Sequence, residues 1–91
     1  MEVRFGKWEK NGMQRVYFNS PVLQLTKVWA QADGEGRMVI KSRTADRGYT
    51  DATEQGFIET AENTGVAEIE KLIGKPVAYE TKFADVWAAV K

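Results

Sequence analysis

Trp8, Arg15 and Tyr17, with Arg4 and Lys10 close by, are the residues of this chain best suited to chemistry at a surface. Indole and phenol rings stack on nucleobases, and arginine and lysine neutralise phosphates. The same residue types dominate the energetic centres of protein–protein interfaces. Arg43, Arg47 and Tyr49 repeat the combination further along, in a polar stretch (43–49) expected to be an exposed loop. What would make the first group a site is a shared face, and a shared face needs a β-hairpin from Val3 to Asn19. Asn11-Gly12 supplies its turn, because a two-residue type I′ loop needs φ > 0 at both positions and these residues meet that demand at the lowest steric cost. Lys10 then pairs with Met13, Trp8 with Arg15, Lys7 with Val16, Gly6 with Tyr17 and Phe5 with Phe18. One face is built on Val3, Phe5, Val16 and Phe18 and reads as core. The other carries Trp8, Tyr17 and Met13 among Arg4, Lys10 and Arg15. A purely structural use of that second face competes with binding: Trp8 and Tyr17 under a helix, Arg15 stacked on Trp8, and Tyr17 covering Gly6.

Other chemistries find little material. The chain has no cysteine and no histidine, which removes a thiol nucleophile, the commonest zinc ligands and the commonest general base. Asp33-Gly34-Glu35-Gly36-Arg37 is explained by turn chemistry, since one short loop is a poor cage for magnesium and Gly-x-Gly alone is no dinucleotide fingerprint. Asp33 and Lys41 have the types of a nuclease site, but Val39 stands where a second acid is wanted. Ser20 and Ser42 lie in no nucleophile motif. Asp51, Glu54, Glu59, Glu62, Glu68 and Glu70 crowd the later half, where acids either form a solvated helix face or mimic nucleic-acid phosphate. No catalytic residue, metal site or cofactor is expected.

The elements that must hold the aromatic–basic face follow from the rest of the chain. Ser20-Pro21 ends the hairpin. Leu25 to Ala32 reads as a third strand, with a helix over 22–32 as its rival because Leu25, Val28, Trp29 and Ala32 also fit a 3.6 period. Residues 33–36 form a loop, and Arg37 to Ser42 a fourth strand that sets Trp29 near Ile40 and Ala30 near Val39. Thr50 or Asp51 caps a helix from Ala52 to Asn63, weakened by Gly56, which costs about 1 kcal/mol against alanine. Asn63-Thr64-Gly65 ends it, and a second helix runs from Val66 to Ile73 before the Gly74-Lys75-Pro76 stop. Val77 to Glu80 is a short segment that could add a strand. Thr81 caps a last helix in which Phe83, Val86, Trp87 and Val90 make an apolar stripe.

Strands early and helices late predict an α+β domain: an antiparallel sheet of about four strands in two hairpins, with two or three helices on one face. At 91 residues the chain has room for a single domain, 1–91, with a small core. Hydrophobic residues at 43% and charged residues at 29% place it with globular rather than disordered chains. No apolar run reaches the ~20 residues of a membrane span and no signal-peptide pattern opens the chain, so a cytoplasmic protein is expected. The formal net charge of zero hides an asymmetry. Residues 1–50 hold nine Lys/Arg against five Asp/Glu, and residues 51–91 hold four against eight. The basic half is either a footprint for an acidic partner or the complement of the acidic half within one fold. No motif here carries a family resemblance. In size and composition alone the chain is similar to the small accessory proteins that phages and mobile elements encode. The expectation is a non-enzymatic binding protein that occupies a surface of a protein or nucleoprotein partner, with a nucleic-acid-binding module on the hairpin face as the alternative.

Overall fold

The computed structural model describes residues 2–23, 26–44 and 52–91. Its elements are β1 (Arg4–Lys10), β2 (Met13–Asn19), β3 (Thr26–Ala32), β4 (Met38–Thr44), α1 (Ala52–Ile73) and α2 (Phe83–Ala89). The strands form one antiparallel sheet in sequence order, and both helices pack on one side of it. The architecture is the α+β arrangement read from the sequence.

The hairpin carries the register set by Asn11-Gly12, which both adopt positive φ. Phe5 faces Phe18, and the two rings meet edge to face at 5.4 Å. Val16, Phe18, Val28 and Ala30 point from the sheet into a core closed by Ile58, Ala61 and Ile69 of α1 and by Phe83, Val86 and Val90 at α2. Lys7 lies on this same side at the edge strand, with its ammonium 4.3 Å above the Trp87 ring.

The second hairpin differs from expectation by one residue. Trp29 stands opposite Lys41 and Ala30 opposite Ile40, not opposite Ile40 and Val39. The reason is Asp33. Instead of joining the loop, it pairs with Arg37 through a 2.9 Å backbone hydrogen bond, leaving a three-residue loop with Gly36 at φ +81°. Its carboxylate accepts the N–H groups of Glu35 and Arg37 and the Arg37 guanidinium. The Glu35 N–H, aided by Arg37, holds the Asp33 carboxyl below its ordinary pKa. The fourth strand accordingly begins at Met38 and runs on to Thr44, so Arg43 and Thr44 belong to a strand and not to a loop. The rest of the expected loop, with Arg47 and Tyr49, lies outside the described residues, as do Leu25, Thr50 and Asp51.

The two expected helices over 52–73 are one, α1. Gly65 is not a stop. It is buried against the Phe18 ring, and a Cβ built there would lie 2.5 Å from Phe18 Cδ2. The missing side chain lets helix and sheet approach closely. Burial, with Glu59 nearby, raises the pKa of Glu62 on this helix. Gly74, at φ +76°, ends α1 as expected, and the Val77 N–H is taken by the Glu70 carboxylate rather than by a strand. Thr81 does not cap α2: its hydroxyl accepts the Ala78 N–H, and Lys82 stands at the cap. The Thr81 carbonyl accepts the Met38 N–H, and the Gly36 carbonyl accepts the Phe83 N–H. These bonds tie the start of α2 to the start of β4.

Gly56 contrasts with Gly65, because a Cβ there would meet nothing within 4 Å. Gly56→Ala should therefore raise stability by about 1 kcal/mol through helix propensity alone, read as a higher midpoint in urea unfolding.

Candidate functional site: the helix-free face of the sheet

Side chains alternate across a strand, so the core positions assign their neighbours to the opposite face. That face carries Arg4, Gly6, Trp8 and Lys10 from β1, and Met13, Arg15, Tyr17 and Asn19 from β2. From β3 and β4 come Lys27, Trp29, Gln31, Val39, Lys41 and Arg43. Among the described residues, no helix packs on it. One rung crosses all four strands: Gly6, Tyr17, Trp29 and Lys41 stand successively opposite one another.

Arg15 is the centre of the face. Its guanidinium carbon lies 5.2 Å from the Trp8 ring centroid and 4.7 Å from that of Trp29. Its Nη1 donates to the Tyr17 hydroxyl at 2.9 Å. Tyr17 leans on Trp29 with centroids 5.8 Å apart, and the Trp29 indole N–H donates to Gln31 Oε1 at 2.7 Å. Trp29 is thereby buried to 7% exposure although it faces away from the core, while Trp8 keeps 37%. The ladder of alternating rings and cation is a set of short-range attractions, each worth about 0.5–2 kcal/mol depending on how far water is excluded. It pre-orders the middle of the face.

The structural reading of this face is half fulfilled. Arg15 does stack on Trp8, but no described helix covers Trp8 or Tyr17. The side chain over Gly6 is Asn19, whose Nδ2 would lie 2.9 Å from a Cβ there, and not Tyr17. Around the ladder, Lys10, Lys27, Lys41 and Arg43 are exposed. Arg4 is also exposed and pairs with Glu2, an interaction of little worth at such solvation. Of the residues singled out in the sequence, Arg4, Trp8, Lys10, Arg15, Tyr17 and Arg43 come together on this face. Lys27, Trp29 and Lys41 belong to it and were missed. On β3 the signal was limited to the polar Lys27 and Gln31 at alternate positions, which Trp29 interrupts.

A groove of about 350 Å³ opens beside the ladder, where Gly6, Trp8, Tyr17, Asn19 and Lys27 of this face meet the core-side residues Phe18, Leu23, Thr26 and Val28. It exists because β2 and β3 pair only at Val16–Ala30 and Tyr17–Trp29 and part beyond that point. Ser20 lines its end, and the Ser20 hydroxyl oxygen is shielded from solvent with no hydrogen-bond partner among the described residues. Among the described residues no three or more Asp or Glu side chains converge as metal ligands, and no helix is long and apolar enough to cross a membrane. Compared with protein-family models, with curated proteins and with solved structures, the chain matches none.

Proposed function

We propose that this chain is a non-enzymatic binding protein, of accessory or inhibitor type, that docks the helix-free face of its sheet on a negatively charged surface of a protein or nucleoprotein partner. One observation carries the reading. The strand positions of that face hold six cations, Arg4, Lys10, Arg15, Lys27, Lys41 and Arg43, and no acid. A single-sign field of this kind steers and orients an acidic partner. The pre-ordered Trp8–Arg15–Trp29 ladder adds a rigid centre inside a charged rim, the usual anatomy of an interface. A non-catalytic role is supported by the acids themselves. Asp33 is used to close a loop, and Glu70 to hold Val77. A cytoplasmic setting suits a chain without cysteine.

Lys41→Glu with Arg43→Glu is the cleanest test, because both side chains are exposed and neither supports the core. Immobilised wild-type protein should retain a partner from native lysate that the folded double variant releases. Equal capture by the two would remove this face as the docking surface.

A further inference from the structure

The groove beside the ladder narrows the partner's chemistry, given that the face docks an anionic surface as proposed above. We infer that the face binds single-stranded nucleic acid, with one unpaired base seated against the Asn19 amide beside Gly6, between Trp8 and Tyr17, and the adjoining phosphates met by Lys27, Lys41 and Arg43. The glycine leaves a notch in β1 that only the end of the Asn19 side chain enters, with its Nδ2 2.9 Å from where a Cβ would sit. Trp8 and Tyr17 wall it with aromatic rings, and the Trp8 ring keeps enough exposure to take a second stacking partner beside Arg15. A volume of about 350 Å³ lies at the lower end of the 300–1,000 Å³ range of ligand pockets, which suits one planar ring system and little more.

The polar groups of the groove fit a base edge. Asn19 offers an amide with both a donor and an acceptor at the exposed side of the groove. Lys27 lies at the rim of the same groove and stands opposite Arg43, while Lys41 ends the rung that begins at Gly6. The cations therefore continue from the notch across the sheet, as a backbone track requires. Duplex DNA is disfavoured because its bases are stacked inward, and no described helix or ribbon projects from this face to enter a groove.

The test is binding of labelled twelve-nucleotide oligo(dT) and oligo(U), followed by anisotropy and tryptophan quenching across a salt series. A duplex of the same length and heparin serve as comparators. Log K should fall with log salt by about 0.7 for each phosphate neutralised, and single strands should bind more tightly than duplex. Trp8→Ala should weaken single-strand binding roughly five- to hundredfold, the range for loss of one stacked base. Gly6→Val fills the notch without changing charge. Its Cβ displaces only the end of the Asn19 side chain, and valine suits a strand, so the fold should survive and be verified by circular dichroism. That variant should lose the single-strand preference and keep its heparin binding. Equal binding of single strand, duplex and heparin, unaffected by Gly6→Val, would overturn the base site. No binding to either oligonucleotide at low salt, with a partner still captured from nuclease-treated lysate, would overturn the nucleic-acid assignment while leaving the docking face in place.

Discussion

Phe18→Ala should lower the melting temperature by more than about 12 °C, and Gly65→Ala should lower it too, although alanine is the better helix former. Phe18 is 2% exposed, and truncating a buried phenylalanine costs about 3–5 kcal/mol, each worth about 4–8 °C in a domain of this size. At roughly 0.05–0.15 kcal/mol per residue, that is a large share of what holds 91 residues folded. Gly65 is the other side of the same contact. Its substitution by alanine gains about 1 kcal/mol of helix propensity, but overpacking a filled core costs about 1–3 kcal/mol. The added Cβ would approach Phe18 Cδ2 and Cε2 to 2.5 and 2.6 Å, and the ring has no easy retreat because Phe5 packs against it. Packing should win. The two positions should also couple: Phe18→Leu combined with Gly65→Ala should be less destabilised than the sum of the single variants, as expected for residues in direct contact. Urea unfolding of the four proteins measures this cycle. A Gly65→Ala protein more stable than wild type would show that α1 does not lie as close to β2 as described.

The same glycine marks where sequence reasoning stopped short. Asn11-Gly12 could be read because its turn type depends on the two residues alone, and the turn then set every pair back to Arg4. Gly65 could not, because a glycine that ends a helix and one that admits a ring look alike until the ring's position is known. Asp33 presents the same difficulty. Whether it belongs to the loop or to the last pair depends on its carboxylate taking the N–H groups of Glu35 and Arg37, and one residue of difference moved Trp29 from Ile40 to Lys41. Half of the candidate face was legible for the reason the first hairpin was. The other half, Lys27, Trp29 and Lys41, was obscured because Val28, Trp29 and Ala30 are all buried, so the run shows no clean alternation. Trp29 is buried by its neighbours on the face itself, through Arg15 and Tyr17, and no local pattern announces that.

Arg15→Ala should therefore act on stability before it acts on binding. The guanidinium lies between two indole rings and donates to Tyr17, so its loss removes two cation–π contacts, one hydrogen bond and the cover over Trp29. Summing about 1 kcal/mol for each cation–π contact at half-burial and a comparable amount for the hydrogen bond gives a cost of roughly 2–3 kcal/mol. Trp29 would gain exposure, and tryptophan emission should move to longer wavelength in the folded variant. Arg15→Lys keeps the charge but not the planar group that stacks and reaches Tyr17, so it should recover only part of the stability and little of the emission shift. Thermal unfolding together with the emission maximum of the folded state reads both effects. If Arg15→Ala left the melting temperature and the emission unchanged, the ladder would contribute nothing, and Trp29 would owe its burial to Tyr17 alone. With the expected result, loss of partner capture by an Arg15 variant says nothing about contact with the partner, since the face itself has been disordered. The exposed pair Lys41 and Arg43 is where charge can be reversed with the ladder intact, and Gly6 is where the notch can be filled with every charge in place.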